Sequence, residues 1–96
     1  MDEARKVPGE LQAVAEWLRA TAAAMVADHP DTTVLVDFAD PFGDAVLRLR
    51  VTAPQSRAVL GKAGVNAEAL RRLARAIARA QGYDGRLDVH VADLRA

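Results

Sequence analysis

The chain has 96 residues, enough for one domain with a modest core and too few for a cofactor domain beside a substrate domain. It lacks cysteine, which removes disulfides, thiol catalysis and the usual structural zinc sets, and no apolar run approaches the length of a bilayer crossing. The zero net charge hides a division: residues 1–44 carry three basic against nine acidic side chains, and residues 45–96 carry ten against four, the footprint of a polyanion partner unless the halves neutralise each other.

Residues 1–8 read as a flexible N-terminus and 9–96 as a single domain. The opening residues lack the basic-then-apolar order of a signal peptide, so a cytoplasmic protein is expected. Residues 9–28 predict a helix, because Leu11, Val14, Ala15, Leu18, Ala22, Met25 and Val26 recur at three and four and His29-Pro30 follows. Trp17 on this helix reads as a core residue whose indole edge reaches the surface. Thr32–Phe38 alternate, with Val34, Val36 and Phe38 on one side and Asp37 on the other, which predicts a half-buried strand. Asp40-Pro41-Phe42-Gly43-Asp44 supplies turn chemistry, and Ala45, Leu47, Leu49 and Val51 then oppose Arg48 and Arg50, so a hairpin is expected.

Pro54 suits the first turn of a short helix reaching Leu60, with Gly61 as its stop. Asn66 reads as the N-cap of a longer helix with Glu68 in its first turn, Leu70, Leu73, Ala74 and Ile77 as its apolar stripe, and Gly82 as its end. Leu87, Val89 and Val91 alternate with Asp88, His90 and Ala92 as a third strand. The order helix, strand, strand, helix, helix, strand predicts an α+β two-layer sandwich, a three-stranded sheet with three helices on one face and a wet, charged opposite face.

Most of the conceivable chemistry is weak. Asp37, Asp40 and Asp44 lack the spacing of a calcium loop and read as turn and solubility residues, while His29 and His90 fall on different elements. Ser56, the single serine, has no base and orienting group nearby, so no enzyme is expected and no cofactor or metal is called for. The informative segment is Gly61-Lys62-Ala63-Gly64. Two glycines would leave backbone N–H groups unshielded at the start of a helix, whose dipole favours negative charge. Eleven of the thirteen basic residues are Arg, yet the loop carries Lys62, a compact ammonium suited to a point contact with phosphate. Arg57 and Arg71 flank the loop as further backbone contacts, whereas the row Arg72, Arg75, Arg79 reads first as a solvated helix face and second as an RNA track.

Val59-Leu60-Gly61-Lys62-Ala63-Gly64, followed by Ala67 and Leu70 and set in this element order, resembles the signature of the bacterial (type II) KH domain, over about residues 10–94. With its length, the chain is similar to the KhpA family of small single-KH RNA-binding proteins. The resemblance implies a loop that clamps the backbone of about four nucleotides, with Gly61, Lys62, Ala63, Gly64, Val65 and Asn66 at the contact, and bases in a groove between the two helices and the last strand with its preceding loop, Gln81 to Arg86. It also implies a homodimer, a larger KhpB-like partner, and an RNA-chaperone role touching cell elongation and the envelope. Val65 and Asn66 stand where family members often carry Arg and then Ile, Val or Thr. Two alternatives stay open: a protein–protein interaction module on the same fold with weak or lost RNA binding, and a grip on structured RNA by shape.

Overall fold

Leu11, Val14, Leu18 and Ala22 define one buried stripe, and the computed structural model, which describes residues 7–29, 32–40, 45–52, 56–61 and 64–93, places them on a 3₁₀ turn, Gly9–Leu11, running into helix α1, Gln12–Met25. The expected helix of 9–28 is therefore shorter in its α-helical part. Its end tightens to i→i−3 bonds, Val26 N–H to the Ala23 carbonyl and Ala27 N–H to the Ala24 carbonyl, before His29. Val7 packs against the core ahead of it, and Trp17 is half-buried against the same cluster.

Strands β1, Val34–Ala39, and β2, Ala45–Val51, pair antiparallel in the register Val36 to Leu49 and Phe38 to Leu47. The residues proposed for their turn, Pro41 to Asp44, and Pro54 ahead of the next helix lie outside the described residues. Helices α2, Ser56–Leu60, and α3, Val65–Ala80, lead to β3, Leu87–Asp93, which lies parallel to β2. The result is an α+β fold with a three-stranded mixed sheet in the order β1-β2-β3 and three helices.

The register aligns Phe38, Leu47 and Val89 in one row and Val36, Leu49 and Val91 in the next. Because side chains alternate across a strand, these rows share one face. On that face they join Leu11, Val14 and Leu18 of the N-terminal helix, Val59 of α2, and Leu70, Ala74 and Ala78 of α3 in one core cluster. Two expectations need correction. Leu73, counted in the apolar stripe of α3, is 53 % exposed, and the buried stripe is Ala67, Leu70, Ala74 and Ala78. Alanines let the helix lie closer to the strands, which rotates the longer Leu73 outward. The opposite sheet face is also less uniformly wet than its charges suggest. Asp37, Arg48, Arg50, Asp88 and His90 lie there, but so do the buried Ala39 and Val46, paired side by side.

Candidate nucleic-acid interface

Two glycines with left-handed backbone bracket the connection between α2 and α3, Gly61 at φ 77° and Gly64 at φ 76°. Each conformation is one that a side chain disfavours. Their surroundings differ. A Cβ on Gly61 would fall 2.7 Å from the Asn66 Cγ and 2.9 Å from the Asn66 backbone nitrogen, whereas a Cβ on Gly64 would meet nothing within 4 Å. Gly61 is thus packed against the helix that follows, and Gly64 opens outward at the start of α3.

The glycine N–H groups expected to be unshielded are both bonded internally. The Gly61 N–H donates to the Arg57 carbonyl at 2.9 Å, closing the last turn of α2, and the Gly64 N–H donates to the Gly61 carbonyl at 3.2 Å. Lys62 and Ala63, the two central residues of the proposed contact, lie outside the described residues. Among the described residues, the other donors of this corner are those of the first turn of α3, which have no carbonyl within the α-helix to bond.

Asn66 does not cap α3. The N-cap is Gly64, without a side-chain cap bond, and Asn66 is the second residue of the helix. Its Nδ2 donates instead to the Ala58 carbonyl at 3.0 Å, tying the end of α2 to the start of α3. This cross-link fixes the angle at which the loop is presented. Val65, next to it, is 64 % exposed, and Arg57 is exposed on α2.

Arg71 lines a surface hollow together with Gly64, Val65 and Glu68, but its guanidinium is engaged within the fold. Its Nη1 donates to Glu68 Oε1 at 2.7 Å, its Nε to Asp88 Oδ1 at 2.9 Å and its Nη2 to the Val89 carbonyl at 3.2 Å. Arg75 Nε donates to the Leu87 carbonyl at 2.9 Å, and the Val89 N–H donates to Asp88 Oδ1 at 2.8 Å. Since β3 is an edge strand, these side chains satisfy main-chain groups that would otherwise invite another strand. Arg72 Nε in turn donates to Glu68 Oε2 at 3.1 Å. The side-chain hydrogen bonds from Arg72 and then Arg71 hold the Glu68 carboxyl below its ordinary range. Burial pushes the Asp88 carboxyl up, but the Val89 N–H, His90 and Arg71 outweigh it and leave that carboxyl below its ordinary value as well.

The sequence missed this edge network, but it did name the basic surface where the arginine row of α3 meets the loop Gln81 to Arg86. A cleft of about 410 Å³ at the far end of α3 is lined by Arg75, Arg79, Tyr83, Asp84, Gly85 and Arg86, among others. The spacing of Glu68 to Arg71 and Arg72 signals the helical part of the network. Nothing in the sequence signals its reach to Asp88. No protein-family model, curated protein or solved structure matches the chain. Among the described residues no helix is long and apolar enough to cross a membrane.

Proposed function

We propose that this protein is a KH-type RNA-binding domain of the bacterial kind, which holds single-stranded RNA by its backbone at the Gly61–Gly64 loop. The observation that carries the reading is the outward-opening Gly64, left-handed at φ 76°, at the head of the 16-residue α3. The parallel pair β2 and β3, joined through α2 and α3, is compatible with the frame that the resemblance implies. A phosphate at this point meets the positive end of the helix dipole and the first-turn N–H groups, and Lys62 neutralises it. With Leu87 and Val89 carbonyls already taken by Arg75 and Arg71, bases find few free main-chain groups on the β3 edge. The contact therefore discriminates little between sequences. A single short site binds weakly, so the working form is a homodimer or a complex with a KhpB-like partner, acting in the cytoplasm as an RNA chaperone.

The test is fluorescence anisotropy with a short unstructured RNA, wild type against a Lys62→Asp/Ala63→Asp variant. The variant is expected to lose most of its affinity, and the slope of log affinity against log salt should fall by about 0.7 for each phosphate contact removed. Coincident curves would defeat the reading. The second reading, a protein-interaction module, draws on the exposed side of α3, where Val65, Ala69, Leu73 and Ala76 form an apolar strip. It gains if RNA binding is indifferent to the loop while Val65→Glu/Leu73→Glu changes the sedimentation of the protein.

A further inference from the structure

We propose that Glu68 and Arg72 form an exchangeable ion pair beside the glycine loop: the RNA backbone replaces the Glu68 carboxylate on Arg72, and Glu68 thereby sets how tightly the loop holds RNA. The inference rests on the RNA-binding reading and deepens it. Gly64, Glu68 and Arg72 follow one another at intervals of four, so they stand one above the other along α3, about 6 Å apart on its axis. A surface hollow of about 790 Å³ joins them, lined by Gly64, Val65, Glu68, Arg71 and Arg72 among others.

Two guanidinium groups share the one carboxylate of this hollow: Glu68 Oε1 accepts from Arg71 Nη1 at 2.7 Å, and Oε2 accepts from Arg72 Nε at 3.1 Å. The two arginines are not held alike. Arg71, its side chain 27 % exposed, also bonds Asp88 and the Val89 carbonyl, and these contacts keep it in place whatever becomes of Glu68. Arg72 is 78 % exposed, and among the described residues Glu68 is its one partner. Side chains on a helix lean toward its N-terminus, so the free end of Arg72 swings in the direction of Gly64. A phosphodiester seated at Gly64 lies one turn from Glu68. There the carboxylate both repels the phosphate and occupies the cation best able to reach it. The hydrogen bonds from Arg72 and then Arg71 keep the Glu68 carboxyl below its ordinary range, so it carries its charge at neutral pH. An exposed ion pair of this kind contributes little by itself, whereas a phosphodiester offers two oxygens to the planar fork of a guanidinium. The exchange therefore runs toward the phosphate: Arg72 moves across to it, and Glu68 keeps Arg71.

Anisotropy with a labelled oligouridylate of about six nucleotides tests this. Glu68→Gln keeps the shape of the side chain and removes its charge; it is expected to tighten binding about threefold and to steepen the salt slope by about 0.7, the mark of one more phosphate contact. Glu68→Gln/Arg72→Ala should give back both the gain and the added slope. Because Glu68→Gln gives up two ion pairs, it should melt no higher than wild type, and tighter RNA binding by a protein that is no more stable is not what a merely structural glutamate would produce. If Lys62→Asp/Ala63→Asp loses affinity while Glu68→Gln binds no better than wild type, the exchange is overturned and the loop reading stands. A gain at Glu68→Gln that survives the loss of Arg72 would reduce Glu68 to simple repulsion and likewise overturn the exchange. Should Lys62→Asp/Ala63→Asp bind like wild type, the loop reading falls and the exchange falls with it.

Discussion

Gly61 and Gly64 share a backbone conformation and differ in what surrounds it, so alanine at each position separates strain from contact. Gly64→Ala adds only the left-handed penalty, about 1 kcal/mol. Gly61→Ala adds that penalty and forces a Cβ to within 2.9 Å of the Asn66 backbone nitrogen, which cannot swing aside as a side chain would. A cost of about 3 kcal/mol is expected. Urea unfolding of the two variants checks this; equal costs would mean that Asn66 is not held against Gly61. The same residues show where the sequence ran out. Its glycines mark the loop because only Gly accepts such backbone cheaply. Asn66 before an acidic first turn reads equally well as a cap, and its real use, holding the Ala58 carbonyl, depends on how α2 and α3 meet. No local pattern carries that angle.

Among the elements, the strands were the most legible, because burial on one face writes itself as alternation in Leu47, Leu49 and Val51 and in Leu87 and Val89. Their pairing is less so. The hairpin follows from proximity, but the parallel seating of β3 beside β2 depends on both helices crossing over. Helix α3 shows a subtler failure. A three-and-four rhythm fits the expected stripe, of which Leu70, Ala74 and Ile77 do meet the core, but hydrophobicity adds Leu73, which does not, and passes over Ala67 and Ala78, which are buried. Packing decides for the alanines. Leu70→Ala should therefore cost about 3 kcal/mol through the lost side chain and the cavity left behind. Leu73→Gln, on the solvent side, should stay within about 0.5 kcal/mol of wild type. Chemical denaturation of the pair settles which stripe is the core, and a large loss at Leu73 would contradict the rotation of the helix seen here.

Across the molecule, the acidic and basic halves meet through the sheet. Asp37 on β1 pairs with Arg48 at 2.7 Å and Arg50 at 3.3 Å on β2, joining the halves. The larger network lies wholly inside the basic half, where Glu68 and Asp88 hold Arg71, Arg72 and Arg75 along the β3 edge. Both carboxyls sit below their ordinary values of 4.5 and 3.8. A group with a depressed folded value binds fewer protons folded than unfolded, so its contribution is complete above the ordinary value and is lost as pH falls through the folded one. Stability from this network should thus be level from neutrality down to about pH 5, then decline below about pH 4.5 as Glu68 protonates and further as Asp88 follows. Both groups are substantially exposed, so the effect is small and weakens in high salt. Thermal melts of wild type and a Glu68→Gln/Asp88→Asn variant across this range provide the measurement. The variant should melt lower at neutral pH, and the two curves should converge under acid, because protonation removes from wild type what the substitutions have already removed. A gap that persists unchanged to low pH would show that the lost stability came from packing at the β3 edge and not from the two charges.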